Sequence, residues 1–342
     1  MVNARRFRLG FFTYLEGEKP QAEIYAEALE LFIAADQLGF DMGWVAQHHF
    51  GHHGGLPSPF MFFTALAERT RQIGLGTAVI TLPLEDPIRV AEDAAVFESL
   101  HPGRLHLGLG TGLATPQTMA TFDRVAEDRR TLYDTGIERL IAAIDGQALN
   151  EDGDVLNPPA PELRSRIWEA PGSPERVAEA SRRGSGLLLS RVASGAGNQR
   201  TPEIQIPFVN RYLQELPLGV APRIGLSRTV YPSRDPETLF RQLSVGIDAS
   251  LQNTTQHELI RDKLTMPERF VHFNIHCGTP EAVIASIEHE PLLNQITDLI
   301  CQLSPALPSF AQALEAIELL ATEVAPALGW TPARTSAEVA IR

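Results

Sequence analysis

The chain has 342 residues, of which 44% are hydrophobic and 21% are charged, and its formal net charge is −13. This composition is typical of a globular protein with a large core. The acidic balance argues against a nucleic-acid partner, which would require a basic surface.

Targeting signals and cysteine usage indicate where the protein resides. The basic start of the chain contains an apolar run that is interrupted by Glu16, and it has no small-residue cleavage site. No apolar stretch approaches the roughly 18 residues that a membrane-spanning helix needs. Cys277 and Cys301 form neither a CxxC pair nor a zinc-type spacing. We therefore expect a cytoplasmic protein with free thiols and no membrane partner.

Apolar strand-like segments alternate with helical patterns along the chain. The strand-like segments lie at residues 7–13, 40–46, 73–82, 104–111, 166–170, 186–191, 223–231 and 296–303. The helical patterns lie at residues 21–38, 59–71, 86–100, about 125–145, 173–183, after Pro280, and from Phe310 to Val324. Residues 192–221 and 232–278 interrupt this order, and we expect the first interruption to contain a helix of its own.

Such alternation is typical of parallel β-α-β units, and eight of these units close naturally into a barrel. We therefore predict an α/β fold, namely one (β/α)8 TIM barrel domain over residues 1–342. Insertions between its late β/α units are expected at about 192–221 and 232–278. A doubly wound open sheet is the main alternative.

Four histidines, at positions 48, 49, 52 and 53, follow the second predicted strand in the run VAQHHFGHHGG. Imidazole titrates near neutral pH and also binds metals, so two functional interpretations compete. In one, His48 or His49 transfers protons beside a bound cofactor. In the other, two or three of these histidines hold a metal ion, although no HExxH spacing or CxxC pair accompanies them. His52 and His53 best fit a loop in which they bond to backbone groups.

In a barrel, the functional site lies at the carboxyl ends of the strands. The sequence GLGTG at 108–112 has glycines that let a flat ligand approach the backbone, although taken alone the motif is better explained by a tight turn between strand and loop. The residues that follow the predicted strands are Thr13 and Tyr14, Gln47 to His49, Thr77 to Thr81, Gly108 to Gly112, Glu169 to Ser173, Ser190 and Arg191, and Arg228.

The segment PGSPERV at 171–177 has the pattern of a helix start. Ser173 is expected to cap the helix, Pro174 to occupy its first position, and Arg176 to lie in its first turn. Free backbone N–H groups at such a start favour an anion, and Arg176 adds a charged donor. An ordinary well-capped helix is the alternative interpretation.

Several motifs together resemble the bacterial-luciferase-like, flavin-dependent monooxygenases. They are WVAQHHF, GTAVITLP, DPIRVAED and GRLHLGLGTG in this order, continued by SPERVAEASRRGSGLLLSR and GTPEAV. The resemblance covers most of the chain and weakens in the two insertions. It is specific for the superfamily and carries no information about the substrate.

The resemblance implies a barrel that takes up reduced FMN from a separate flavin reductase and uses O2 to oxidise a small organic, often carbonyl, substrate. It implies that His48 is the catalytic base and that His49 supports it. Ala78 and Val79 match a pair joined by a non-proline cis peptide beside the flavin. Gly172, Ser173 and Arg130 match the phosphate-binding residues. We add Gly110, Thr111, Arg176 and Ser190 to the expected cofactor-binding residues because of their positions at strand ends or the helix start.

Three residues depart from the luciferase pattern. Gln47 stands in place of a glutamate, Gly110 in place of a cysteine, and Thr111 in place of a phosphate-binding arginine, whose charge Arg176 is expected to replace. Light emission is therefore not implied. The family also implies a homodimer, and some relatives use a deazaflavin for hydride transfer. A metal-dependent barrel hydrolase and a non-catalytic flavin-binding protein remain as competing hypotheses.

Overall fold

The computed structural model describes residues 7–51, 54–112, 115–193, 199–251, 263–306 and 308–332. The strands are β1 (Arg8–Thr13), β2 (Met42–Val45), β3 (Gly74–Thr77), β4 (Ile80–Thr81), β5 (Leu105–Gly110), β6 (Ile167–Glu169), β7 (Gly186–Leu189), β8 (Ile224–Pro232), β9 (Ile275–Gly278) and β10 (Asp298–Gln302). None of the helices in the described ranges is both long enough and apolar enough to cross a lipid bilayer.

Helices follow most of these strands. They are α1 (Gln21–Gln37), α2 (Pro59–Ala67), α3 (Pro87–Leu100), α4 (Pro116–Thr121), α5 (Arg129–Ile144), α6 (Pro174–Arg182), α7 (Thr201–Glu215), α8 (Pro236–Leu251), α9 (Met266–His272), α10 (Pro280–Glu288), α11 (Phe310–Leu319) and α12 (Ala325–Ala327). Most begin with a proline in the first turn, where its missing N–H costs no hydrogen bond. The Asp86 carboxylate caps α3, as predicted, by accepting from the backbone of Ile88 at 2.8 Å and of Arg89 at 3.2 Å.

The strands close into a parallel barrel. β1 pairs with β2 on one side and with β10 on the other, and β10 pairs with β8. The remaining order is β2, β3, β5, β6, β7 and β8, and β4 continues the line of β3 beside β5. This closure confirms the predicted (β/α)8 barrel and rules out the open sheet. The prediction of a single domain over residues 1–342 stays a prediction.

All eight predicted strands are present, and three details differ from the prediction. The segment predicted as one strand at 73–82 is divided into β3 and β4 by a cis peptide between Ala78 and Val79. The helix predicted from about residue 125 begins at Arg129, after a short 3-10 turn, and α4 was not predicted. The helix expected in the first insertion is present as α7.

The second insertion contributes a ninth full strand that the sequence did not predict. The first half of β8 pairs with β10, whereas residues Thr229 to Pro232 pair with β9. A four-residue strand with the sequence IHCG has too little apolar periodicity to be recognised without its partner. Cys277 on β9 and Cys301 on β10 are free thiols, as expected. The polar run at 253–257 lies outside the described residues.

Large aromatic side chains fill the barrel interior. The rings of Trp44 and Trp168 meet edge to face, with centroids 5.7 Å apart. A Cβ atom at Gly76 would lie 2.3 Å from the Trp44 ring, so only glycine leaves room for this indole. The Nδ1 atom of His106 accepts a hydrogen bond of 3.0 Å from Trp168 Nε1. Because burial lowers the pKa of His106 well below its usual range, this imidazole is neutral and belongs to the packed interior.

Arg228 has a structural role that its position at a predicted strand end did not suggest. The strand β8 continues for four residues beyond it, and its side chain is fully buried. The Arg228 Nε atom lies 2.9 Å from the Glu290 carboxylate, which also accepts from the Asn274 amide. His276 Nε2 lies 3.7 Å from the same carboxylate. Arg228 therefore joins β8 to the chain after α10 and is not part of the site.

Replacing one member of this buried pair should destabilise the protein strongly. We expect Arg228→Met to lower the free energy of unfolding by about 3–5 kcal/mol, because it leaves the Glu290 carboxylate buried without a cation. The double variant Arg228→Met/Glu290→Leu should recover most of this loss. Urea unfolding measures the free energy of unfolding of both variants. Arg182→Met, which breaks an exposed pair with Glu215, is the control, and its loss of free energy of unfolding should be below about 1 kcal/mol. Equal losses in Arg228→Met and Arg182→Met would contradict this role.

Candidate active site

The carboxyl ends of the barrel strands bring the predicted site residues to one mouth. Tyr14 follows β1, Gln47 to His49 follow β2, and Ala78 and Val79 follow β3. Gly110 ends β5, and Ala170 to Ser173 connect β6 to α6. Because parallel strands all end on the same side of a closed barrel, residues far apart in the sequence face one another across this mouth.

His48 is held by the backbone on one side and by an aromatic ring on the other. Its backbone N–H donates to the Leu56 carbonyl at 3.0 Å, and its ring stacks on Tyr14 with centroids 5.7 Å apart. A Cβ atom at Gly54 would lie 2.9 Å from His48 Nδ1 and 2.5 Å from the Tyr14 carbonyl oxygen. The glycine therefore lets the loop close tightly over Nδ1.

His49 lies in a different, more apolar environment. Its ring contacts Phe122 edge to face at 4.7 Å, and its Nε2 atom is enclosed without a hydrogen-bond partner among the described residues. Burial lowers the pKa of His49 below its usual range, although the Glu85 carboxylate opposes this shift in part. His49 is therefore neutral at pH 7 and does not share the surroundings of His48, although the two are adjacent in sequence.

Gln47 connects three segments at the mouth through its side-chain amide. Its Nε2 donates to the Pro57 carbonyl at 3.1 Å and to the Glu85 carboxylate at 2.5 Å. Its Oε1 accepts from the Thr81 N–H at 2.8 Å. A glutamate in this position would lack both donors and would place a second carboxylate beside Glu85. The structure therefore explains why glutamine occupies this position, which the sequence marked only as a departure.

Introducing that carboxylate provides a direct test of the Gln47 network. We expect Gln47→Glu to lower the free energy of unfolding by about 2–4 kcal/mol at pH 8, because it leaves the Pro57 carbonyl without a donor and repels Glu85. The repulsion raises the pKa of the new carboxyl group in the folded protein. The variant therefore shows its full loss of unfolding free energy above that pKa, and the loss becomes smaller as the pH falls toward 5 and the group is protonated. Urea unfolding at both pH values measures this.

The double variant Gln47→Glu/Glu85→Gln is the matched control, since its new amide can donate to the new carboxylate. It should recover most of the stability at pH 8. An unchanged loss in the double variant, or a loss independent of pH, would show that Gln47 does not act through Glu85.

The peptide bond between Ala78 and Val79 is cis, as the resemblance implied. The Ala78 N–H donates to the Val45 carbonyl at 2.8 Å, and the Val79 carbonyl accepts from the Gln47 N–H at 3.3 Å. A Cβ atom at Gly110 would lie 2.7 Å from a Val79 methyl group. Gly110 therefore lets the end of β5 pack against Val79, which explains the lack of a cysteine at this position.

A cavity of about 230 Å³ lies between β5, α5 and α6. The Ser173 side chain caps α6 by accepting from the Arg176 N–H at 3.5 Å, so the first turn of this helix faces the cavity. A Cβ atom at Gly172 would meet no atom within 4 Å, so open space lies in front of this backbone. The lining residues are Gly110, Thr111, Arg129, Arg130, Tyr133, Glu169, Ala170, Pro171, Gly172, Ser173, Arg176 and Arg183.

The four arginines around this cavity differ in how their charges are balanced. Arg176 forms ion pairs with Asp134 and Glu179, so its charge is already compensated. Arg183 donates to the Glu169 carboxylate at 2.7 and 3.0 Å. Within the described part of the chain, Arg129 and Arg130 form no ion pair. Arg130 therefore offers the cavity a positive charge that no carboxylate compensates, unlike Arg176. The predicted role of Arg176 as a replacement for the missing arginine stays a prediction.

Sequence reasoning missed three residues of this cavity, Arg129, Tyr133 and Arg183. The Tyr133 hydroxyl donates to Glu169 at 2.8 Å, and burial together with this carboxylate raises the pKa of Tyr133 well above its usual value. Tyr133 lies three residues after Arg130, on the same face of α5. This spacing is the sequence feature that could have identified Tyr133. No sequence feature pointed to Arg183, because only the fold brings the end of α6 back to β6.

Other predicted residues lie outside this cavity. Ser190 follows β7, and its hydroxyl donates to the Val192 carbonyl at 2.6 Å. His52 and His53 lie outside the described residues. Among the residues that the structure does describe, no group of three or more histidine, cysteine, aspartate or glutamate side chains could hold a metal ion.

A second, larger cavity of about 640 Å³ opens beside the mouth. It lies between α1 and α11, and its walls include Tyr14, Glu16, Phe12 and Leu303. Its interior is mainly apolar, and it contains none of the arginines that surround the smaller cavity. The smaller cavity therefore matches an anion, and the larger cavity offers space for an apolar group close to His48.

A closed barrel with an arginine-lined cavity at a helix start near its mouth is an arrangement typical of barrel enzymes that bind phosphorylated ligands. Comparison with known proteins makes this class more specific. The chain matches the luciferase-like monooxygenases over residues 7–291 and belongs to this family.

Individual relatives match shorter parts of the chain. It is 39% identical over 110 residues to 4-hydroxyprotoasukamycin monooxygenase of Streptomyces nodosus subsp. asukaensis, which is 31% of this chain and 29% of that protein. It is 31% identical over 210 residues to F420-dependent glucose-6-phosphate dehydrogenase of Mycolicibacterium smegmatis, which is 56% of this chain and 61% of that protein. The chain thus spans less than two thirds of the length of these curated relatives.

A solved structure supports the fold over the whole chain. The oxygenating constituent of 3,6-diketocamphane monooxygenase of Pseudomonas putida, in complex with FMN, superposes with a TM-score of 0.75. The two chains are 16% identical, and the superposition covers 97% of this chain and 100% of that one. At this identity the likeness shows a shared barrel fold.

Proposed function

We propose that the protein is an FMN-dependent monooxygenase that oxidises a small organic substrate, such as a carbonyl compound, with O2 and uses His48 as the acid and base. The observation that carries this proposal is the cationic cavity at the start of α6, at the same barrel mouth as His48. The family membership and the relatives named as monooxygenases support it.

The donors around the 230 Å³ cavity fit the phosphate group of FMN. A phosphate monoester carries up to two negative charges, and Arg130 with the free N–H groups of the first turn of α6 supplies charge and hydrogen bonds for it. The open space in front of Gly172 leaves room for the phosphate to reach this backbone. Ala78, Val79 and Gly110 would face the flavin ring, and Thr111 would contact the phosphate. When bound, reduced FMN supplies the electrons that activate O2.

The chain's own groups would then bind and protonate the substrate. His48 would accept a proton from the substrate and return it, with Nε2 as the reacting nitrogen because Nδ1 is enclosed beneath Gly54. Stacking on Tyr14 and the backbone hydrogen bond to Leu56 fix the imidazole in this orientation. Neutral His49, packed on Phe122, supports the loop and limits the access of water to that side.

Such an enzyme needs a source of reduced cofactor. We propose that reduced FMN is supplied by a separate flavin reductase and that the protein is a cytoplasmic homodimer. A deazaflavin-dependent oxidoreductase is the second candidate, because a relative is named as F420-dependent and the phosphate cavity would serve that cofactor equally well. Titration with both cofactors in their reduced forms separates the two.

The phosphate assignment is tested by FMN binding. We expect Arg130→Gln to weaken FMN binding at least tenfold, because a charge-assisted hydrogen bond contributes about 1.5–3 kcal/mol. Flavin fluorescence quenching gives the dissociation constants. Arg139→Gln, an exposed arginine on the same helix that does not line the cavity, is the matched control and should bind FMN as wild type does. Equal affinities in the two variants would place the phosphate elsewhere.

The role of His48 is tested by turnover. We expect His48→Gln to lower the rate of substrate oxidation about 10²–10⁴-fold while FMN affinity is unchanged, because general acid–base catalysis contributes by this factor. Oxygen uptake with NADH, a flavin reductase and candidate aldehydes measures the rate. His289→Gln, on the outer surface at the end of α10, serves as the control. Full activity of His48→Gln would refute the assigned role.

A further inference from the structure

The larger cavity, of about 640 Å³, begins at the barrel mouth and extends behind the barrel wall. Successive side chains of a strand point to opposite faces. Phe12 belongs to the apolar cluster of the barrel interior, together with Trp44, whereas Phe11 and Cys301 belong to the core between the barrel and its helices. Phe11, Phe12 and Cys301 all line the cavity. The cavity therefore runs from the mouth into the space between the strands β1 and β10 and the helices α1 and α11.

Small side chains leave this space open. Ala28 on α1 and Ala313 on α11 are both buried, and both line the cavity. Ile24 and Ile317, one turn away on the same helices, complete an apolar wall. Water forms few hydrogen bonds on such walls, and an unfilled apolar cavity lowers stability in proportion to its volume. The cavity therefore favours an apolar ligand.

The mouth end of this cavity reaches the residue that stacks on the proposed catalytic base. Tyr14 lines the cavity, and its ring stacks on His48 with centroids 5.7 Å apart. The Tyr14 ring also meets Phe12 edge to face, with centroids 4.6 Å apart. A ligand that filled the cavity would have one end beside the pair of Tyr14 and His48 and the rest of its length between α1 and α11.

The charged residues of the cavity lie where it opens to solvent. Glu16, Glu18, Lys19 and Glu27 line it, and their side chains are exposed or half-exposed. Three of these four residues are acidic, and Lys19 pairs with Glu27. An anionic ligand would therefore be repelled at the opening, and its charge would lose hydration on the apolar walls.

The second insertion supplies part of the wall. Gln242 on α8 lines the cavity, and its side-chain amide donates to Gln312 Oε1 on α11 at 3.3 Å. Gln312 Nε2 donates in return to Gln242 Oε1 at 3.4 Å. Because the two amides bond to each other, this side of the cavity adds no charge, and the insertion helps to shape the site.

We propose that this cavity binds the apolar part of the substrate and that the substrate is an uncharged molecule with an extended apolar part, whose reactive group lies beside Tyr14 and His48. The volume lies in the range of cavities that hold drug-sized molecules, so it exceeds what a carbonyl compound of a few carbons would fill. Ala28 and Ala313 determine the specificity for the apolar part. The identity of this ligand as the substrate rests on the proposed function.

Ligand binding is tested without flavin. The probe is 1-aminoanthracene, an uncharged molecule whose fluorescence rises in apolar surroundings, and 1-decanol and decanoate are the competing ligands. These two ligands share the same chain length and differ in charge. We expect wild type to bind 1-decanol at least about tenfold more tightly than decanoate, because an unpaired carboxylate is unfavourable on apolar walls.

Filling the cavity should remove this binding. We expect Ala28→Leu/Ala313→Leu to weaken 1-decanol binding at least about tenfold, since the new side chains occupy the space of the alkyl chain. Ala26→Leu/Ala311→Leu changes exposed positions of the same helices that do not line the cavity, and it should bind 1-decanol as wild type does. Urea unfolding shows that the variants are folded, and the single variants Ala28→Leu and Ala313→Leu replace the double variant if it is not.

Three binding results would overturn the proposal. They are no binding of 1-decanol to wild type, equal affinities in the filled variant and its control, and decanoate binding as tight as that of 1-decanol.

Oxygen uptake with NADH and a flavin reductase tests whether the ligand of this cavity is the substrate. Wild type should oxidise decanal with a kcat/KM at least about tenfold above that for butanal, because each methylene group in an apolar pocket adds to binding. Ala28→Leu/Ala313→Leu should lose this preference and keep its kcat/KM for butanal. A preference that survives in the filled variant would show that the substrate binds elsewhere. A protein that binds 1-decanol in this cavity but does not bind reduced FMN would contradict the proposed function alone.

Discussion

Strand β10 closes the sheet by pairing with both β1 and β8, and the position of every site residue follows from this closure. Among the described residues, β1 to β8 and β10 form a closed ring, β9 extends β8 outside it, and the carboxyl ends of the ring strands surround one opening. Trp44 and Trp168 fill the interior behind this opening, where Gly76 and Gly186 leave room for their rings. The fold therefore brings side chains from distant parts of the sequence to this mouth.

Some arginines of the barrel are paired with a buried carboxylate, and others form no ion pair within the described residues. A buried cation is stable only beside a counter-charge, so Arg228 with Glu290 and Arg183 with Glu169 serve the fold. Arg130 forms no ion pair within the described residues and lines the cavity at the start of α6. This difference supports the proposed phosphate site.

The histidine run shows how the fold separates neighbouring residues. His48 stacks on Tyr14 beneath a loop that only glycine allows, whereas His49 packs on Phe122 and stays neutral. Gln47, directly before them, uses its whole amide to connect the loop to Glu85 and Thr81. Gln47 was identified from the sequence only as a departure from luciferase. In the structure its amide connects these segments, and this requires both a hydrogen-bond donor and an acceptor.

The eight barrel strands, most helices and the strand-end positions that form the mouth were predictable from the amino-acid sequence, because apolar periodicity, proline and capping residues act over a few neighbouring positions. The helix start at Ser173 and the family were predictable as well. Only the folded chain shows which charges are balanced by a partner: Arg228 pairs with Glu290 away from the site, and Arg129, Tyr133 and Arg183 line the cavity. These outcomes depend on contacts between segments that are far apart in the chain, and local patterns carry no information about such contacts.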